Sequence, residues 1–185
     1  MAALQINRRS FLKLASLSLS AIPRVASASG PANSFLTARS RSLSFYNLHT
    51  TERLATVYWA DGHYIRESLA DINRLLRDYR NEEIYEIAPR LLDTLCELRF
   101  RLETTEPFEL ISGYRSPRTN AMLRSQGHGV AENSLHTKGM AADIRVPGRS
   151  LALLRRTAIS LKAGGVGYYP DSQFVHVDVG RVRAW

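Results

Sequence analysis

Apolar and polar positions along the chain change period several times, and each change marks an element. Leu43 to Leu48 and Leu54 to Trp59 are rich in aromatic and aliphatic residues and flank the polar His49-Thr50-Thr51-Glu52. That arrangement predicts a hairpin, and Asp61-Gly62 predicts a tight turn ending its second strand. From Arg66 to Tyr79 the apolar positions Leu69, Ile72, Leu75 and Leu76 recur at three and four, which predicts a helix. A second helix is predicted over Ile84 to Thr104, with Ile87, Leu91, Leu92, Leu95, Leu98 and Leu102 on one face and Pro89 tolerated in its first turns. Past Pro107 the pattern predicts a strand over Phe108 to Ile111, a helix over Arg118 to Gln126, a strand over Met140 to Val146 and a helix over Ser150 to Ala163. Gly164-Gly165 breaks that helix, and two short strands, Val166 to Tyr169 and Phe174 to Val179, follow. The order is that of an α+β fold: helices packed on a small, mainly antiparallel sheet.

Length adds one constraint. The 185 residues suffice for one globular domain with its own core. No run of 18 or more apolar residues is present, so no stable membrane span is expected in the mature chain. The single cysteine, Cys96, excludes an internal disulfide and, within LLDTLCELRF, reads as a buried structural thiol. The aromatic residues Tyr46, Tyr58, Trp59 and Tyr64 of the hairpin region read as core in preference to a carbohydrate-facing surface.

The first 28 residues differ in character. Arg8-Arg9 precede Ser10-Phe11-Leu12-Lys13, a modest apolar stretch and Ala26-Ser27-Ala28. This resembles a twin-arginine export signal cut after Ala28, which implies a periplasmic location. Residues 29–40, rich in Ser, Ala and Gly, read as a flexible leader. Residues 41–185 read as one domain: 41–105 the hairpin and first helices, 106–185 the core that carries the chemistry. The formal net charge is +8 for the whole chain. Without the signal, twenty-one basic residues stand against seventeen acidic ones and leave +4. A mild excess suits an anionic polymer and is too diffuse for nucleic acid.

Two short segments carry the candidate chemistry. In Ser134-Leu135-His136-Thr137-Lys138-Gly139-Met140-Ala141-Ala142-Asp143, a histidine stands where a loop meets a strand and an aspartate stands within that strand. A carboxylate among Ala142, Ile144 and Val146 is costly to bury without a compensating positive charge, and a metal ion supplies one. In Phe174-Val175-His176-Val177-Asp178 a second histidine sits between valines. If the two strands are neighbours, His136, Asp143 and His176 converge. Two imidazoles and a carboxylate, with a fourth position for water, are a donor set that catalytic zinc accepts. Zinc lowers the pKa of bound water to about 7.

SLHTKGMAAD matches the S-x-H-x-x-G-x-A-x-D pattern of metallopeptidases related to D-Ala-D-Ala carboxypeptidases, lysostaphin-type enzymes and the hedgehog zinc domain. SGYRSP, GGVGYYP, FVHVDVG and the tryptophan that follows, together with FYNLHTTE, VYWADGHY and LLRDYR, resemble the MepK-like branch of murein endopeptidases over residues 40 to 185. The resemblance implies a zinc cleft on the sheet, one Zn2+ ligated by His136, Asp143 and His176, and Arg115 as the cation that meets the developing oxyanion. It implies peptidoglycan stem peptides as substrate; an outer-membrane adaptor is left open. The general base does not carry over. Many relatives place a second histidine two positions before the last ligand, and Phe174 stands there. Asp178, on the strand face of His176, is favoured over Asp171. His128, in the Gly127-His128-Gly129 loop, either lines the cleft and aids proton transfer or faces solvent. Ser134 is expected to hold its turn by bonding to backbone. Two further readings stay open: a D-Ala carboxypeptidase or dipeptidase, and a zinc-stabilised wall-binding module without turnover.

Overall fold

The computed structural model describes residues 38–127 and 130–185, and among the described residues it has four helices and an eight-stranded sheet. The signal, most of the leader and His128 lie outside the described residues. β1 (Ser40–Asn47) and β2 (Arg53–Ala60) form the expected antiparallel hairpin. Asp61 and Gly62 both have positive φ (48° and 87°) and turn the chain into the two-residue β3, His63–Tyr64. Positive φ at both positions is what a tight hairpin turn requires, and Asp-Gly accepts it at low cost. Then come α1 (Arg66–Leu75), α2 (Pro89–Arg101), β4 (Phe108–Ser112), α3 (Pro117–Ser125), a 3₁₀ turn (Leu135–Lys138), β5 (Ala141–Arg145), α4 (Leu151–Leu161), β6 (Gly165–Tyr169), β7 (Phe174–Asp178) and β8 (Arg183–Ala184).

The strand order is β3-β2-β1-β4-β5-β7-β6-β8. β1 pairs with β4 in parallel, and so does β6 with β8; the other pairings are antiparallel. The sheet is therefore mixed and spans the chain from 40 to 184, where a small and mainly antiparallel one was expected. The β1–β4 pairing is the physical reason: the hairpin continues the same sheet that carries the histidines, and the connection through α1 and α2 makes that junction parallel.

Proline shortens the second helix relative to the periodicity. Pro89 occupies the first helical position, and Ala88 before it is extended at φ −56°, ψ 122°. Ile87 is still fully buried, but it reaches the core from a loop. Ser116 and Ser150 cap α3 and α4 by accepting from Thr119 N and Leu153 N. One apolar core gathers Leu43, Phe45, Leu91, Leu95, Leu110, Ile144, Val175 and Val177. Because side chains alternate along a strand, burial of Val175 and Val177 on that side turns Phe174, His176 and Asp178 to the opposite face. The aromatic expectation holds for Tyr58, which is wholly buried; Tyr64 is 40% exposed. Cys96 is half-buried and its thiol pKa is raised by burial, as suits an inert thiol.

Candidate metal centre

Three polar side chains converge on the face of the sheet opposite the core. Asp143 of β5 and His176 of β7 are direct cross-strand partners, so their side chains rise side by side. His136 comes from the 3₁₀ turn, which folds over the end of β5: Met140 N donates to Leu135 O, and Val179 N to Met140 O. Gly139 closes this turn in the left-handed region at φ 62°. It also touches the 85–88 loop so closely that a Cβ would lie 2.1 Å from Glu86 O, and its own carbonyl accepts from Ala88 N. Only glycine satisfies both demands. The hydroxyl of Ser134 makes no cap to this turn; Thr137 Oγ1 donates to the Ser134 carbonyl instead.

His136 Nε2 lies 3.2 Å from Asp143 Oδ1 and 3.2 Å from His176 Nδ1, and His176 Nδ1 lies 2.8 Å from Asp143 Oδ1. All three residues are buried, at 3%, 6% and 9% exposure. Their other ring nitrogens are already committed. His136 Nδ1 is 2.7 Å from Gly113 O, a carbonyl that can only accept. His176 Nε2 is 3.1 Å from Asp178 Oδ2, again an acceptor. Those bonds put the ring protons on the outer nitrogens and leave Nε2 of His136, Nδ1 of His176 and Oδ1 of Asp143 as three lone pairs aimed at one point.

Such a set is repulsive unless a cation joins it. Burial alone would lower the pKa of His176, but Asp143 and Asp178 on its two ring nitrogens outweigh burial and raise it to about 9. Burial opposes ionisation of Asp143, yet the two imidazoles hold it below the usual carboxylate range. The donor separations also suit a metal. Tetrahedral zinc with bonds of about 2.0–2.2 Å spaces its donors roughly 3.3–3.6 Å apart, a few tenths of an ångström wider than found here. Among the described residues, His136, Asp143 and His176 are the group of three or more His, Cys, Asp or Glu whose donor atoms lie close enough to hold an ion.

The group lies in a cleft of about 440 Å³ whose walls include Arg115, Asn133, Tyr169, Phe174, Arg183 and Trp185. Arg115 follows a bulge in β4 and its backbone N donates to His136 O, which ties it to the 3₁₀ turn. Its Nη2 lies 3.8 Å from Asp143 Oδ2 and 3.4 Å from Ser112 Oγ, and its Nε is buried without a hydrogen-bond partner among the described residues. Burial lowers its pKa from the ordinary value, with Asp143 opposing; a guanidinium remains charged regardless. Arg115 is a cation that lines the cleft beside the metal group, so its guanidinium can meet negative charge as it develops on a substrate.

The two aspartates considered as base are elsewhere. Asp178 is 1% exposed and does not line the cleft. Its Oδ1 accepts from Gly165 N (2.9 Å), Gly180 N (2.8 Å) and Arg183 Nη1 (3.2 Å); its Oδ2 accepts from His176 Nε2 and from Arg183 Nη2 at 2.7 Å. Burial opposes ionisation, but those donors hold the carboxyl below its usual range. Asp178 does share a strand face with His176, as alternation requires, but it is turned behind the ring. Asp171 is exposed in the turn between β6 and β7 and is not a cleft residue. Asp143 is the one carboxylate lining the cleft among the described residues.

The aromatic wall was missed as a functional feature. Tyr169 stacks on Phe174 at 4.6 Å between ring centres, and the Trp185 ring lies 5.4 Å from that of His176. Two signals in the sequence bear on it: Phe174 is two positions from His176 and so shares its face, and Gly167 inside a strand marks a close approach.

Comparison with known proteins gives the family of the chain. The sequence model of the family described as peptidoglycan L,D-endopeptidase MepK matches residues 35–185. The peptidoglycan L,D-endopeptidase MepK of Escherichia coli (strain K12) is 45% identical over 183 residues, 97% of each chain. A probable peptidoglycan L,D-endopeptidase MepK of Haemophilus influenzae is 41% identical over 150 residues, 80% of this chain and 81% of that protein.

Proposed function

Because the chain belongs to the peptidoglycan L,D-endopeptidase MepK family, and is thus a murein endopeptidase, we propose that it hydrolyses L,D peptide cross-links at a zinc ion held by His136, Asp143 and His176. The observation that supports the metal assignment is the convergence of three lone pairs, two of them on imidazoles oriented from behind by Gly113 O and Asp178. The chemistry zinc supplies when bound is Lewis acidity toward a water and a carbonyl oxygen.

The remaining work belongs to side chains of this protein. The cleft takes an extended peptide with its scissile carbonyl between Arg115 and the donor group. As water adds to the carbonyl carbon, negative charge moves to the carbonyl oxygen, and Arg115 donates N–H to it from a fixed, largely dry position. The C–N bond then breaks; both protons of the water end on the leaving nitrogen, which departs as an ammonium, and the acyl side leaves as a carboxylate. Asp178 is a positioning residue that holds the tautomer and angle of His176. With Asp171 and Asp178 both turned away from the cleft, we assign proton transfer to His128, two positions before the cleft residue Val130.

We place this activity in the periplasm, reached by the twin-arginine route that Arg8-Arg9 suggest; peptidoglycan as the substrate supports the first part. None of the described helices is long and apolar enough to cross a membrane. The test is mass spectrometry of muropeptides from sacculi that carry both L,D and D,D cross-links. L,D dimers should fall to monomers; shortened monomers with intact dimers would mean a trimming enzyme instead.

A further inference from the structure

One buried carboxylate has no part in the chemistry described so far. Asp78, in the run LLRDYR from Leu75 to Arg80, is 1% exposed, as deeply buried as Asp178. Its Oδ2 accepts from Ser116 N at 2.9 Å, across 38 positions of chain, and its Oδ1 accepts from Arg80 N at 3.1 Å. The carboxylate stands on a closed turn: Asp78 N donates to Glu83 O, and Asp78 O accepts from Asn81 N and Glu82 N. A charge buried this deeply is tolerated only where donors meet it, and these donors belong to the strand end that carries Arg115.

Three successive amides there are held by three parts of the chain. Tyr114 N donates to Leu76 O at 2.7 Å, Arg115 N to His136 O at 3.2 Å, and Ser116 N to Asp78. Gly113 packs against the same segment so tightly that a Cβ would lie 2.5 Å from Leu76 O. Asn81 Nδ2 donates to Ser116 Oγ, and Tyr114 Oη to Glu83 Oε1. Of the three amide bonds, only the one at Ser116 ends on a side chain. Arginine has many rotamers, so the direction of its guanidinium depends on how firmly the peptide units on both sides of its Cα are held. We propose that Asp78 is a positioning residue for Arg115: by fixing Ser116 N it sets the backbone from which the guanidinium is aimed at the developing oxyanion. The inference rests on the reading of Arg115 as the donor to that oxygen and extends it to a residue behind the site.

The test is a double-mutant cycle on zinc-loaded protein, with an L,D-linked muropeptide dimer as substrate. In Asp78→Asn the amide oxygen accepts from one of the two backbone amides while its NH2 faces the other. kcat should fall about 10- to 100-fold, the loss that a group displaced by about an ångström produces, with KM and zinc affinity changed less than about twofold. Asp78→Ser, which leaves room for a water beside the two amides, should lose less. In an Arg115→Ala background either replacement should change kcat by less than about twofold, because the group being aimed is gone. A purely structural role would lower activity by the same factor in both backgrounds, and that result overturns the proposal. So does a kcat within twofold of the parent in both Asp78 variants. Arg115→Ala with the kcat of the parent would overturn the reading of Arg115 itself and the proposal with it.

Discussion

Replacing Asp178 by Asn separates the two roles this residue could play. The amide keeps one acceptor. If it stays toward Gly165 N and Gly180 N, the new NH2 faces two donors, His176 Nε2 and Arg183 Nη2, which now lie 3.1 and 2.7 Å from Oδ2. A buried donor left facing a donor costs about 1–3 kcal/mol. Arg183 is 36% exposed at its side chain and can turn to water, so about 2 kcal/mol is expected. For a chain of this length that lowers Tm by roughly 4–8 °C. His176 relieves the conflict by moving its proton to Nδ1, the atom that must be bare to bind metal. Zinc affinity should therefore weaken about 10- to 100-fold, the usual effect of losing such a partner. The assay is competition for zinc against a chromophoric chelator, with thermal unfolding in parallel. If Asp178→Asn binds zinc within twofold of the parent, melts at the same temperature and loses only kcat, Asp178 is a base after all and the positioning argument is refuted.

Other expectations follow from the same geometry. Arg115→Ala should lower kcat by about 10²–10³ while zinc affinity holds, because its donors face the cleft and the metal donors are other residues; steady-state kinetics with metal analysis checks this. His128→Gln should lower kcat by about 10² with zinc binding and Tm unchanged. The pH dependence of stability should carry a share from Asp78, which is 1% exposed. Burial opposes its ionisation, but bonds from Thr119 and from the Ser116 and Arg80 amides prevail and depress its pKa. Its stabilisation is thus complete above the unfolded value of about 4 and is lost as pH falls below that. Asp78→Asn should be less stable at pH 7 and approach the parent on acidification, as followed by urea unfolding.

Much of the fold can be read from the chain because local chemistry acts alone there. The hairpin turn at Asp61-Gly62 and the end of α4 before Gly164-Gly165 need only near neighbours, whereas the periodicity that runs the second helix back to Ile84 is overruled by Pro89. The parallel β1–β4 and β6–β8 pairings are not readable this way, since nothing in a strand's alternation names its neighbour. The site divides similarly. Period two does place His176 and Asp178 on one face, but the same pattern serves a base in the cleft or a carboxylate behind the ring. Three partners, Gly165 on the neighbouring strand β6 and Gly180 and Arg183 just after β7, decide between them. Trp185 is invisible to periodicity because its seat is made by Gly167 across the sheet edge. His136 and Asp143 converge through the left-handed turn at Gly139, whose necessity comes from Glu86, some fifty positions earlier in the chain.

The most direct test of the account is a zinc titration of the chelator-treated protein, following cleavage of an L,D-linked muropeptide dimer. Turnover should be absent without metal, rise linearly with added zinc and level off at one equivalent per chain. Turnover that survives complete removal of metal, or a plateau at another stoichiometry, would contradict it.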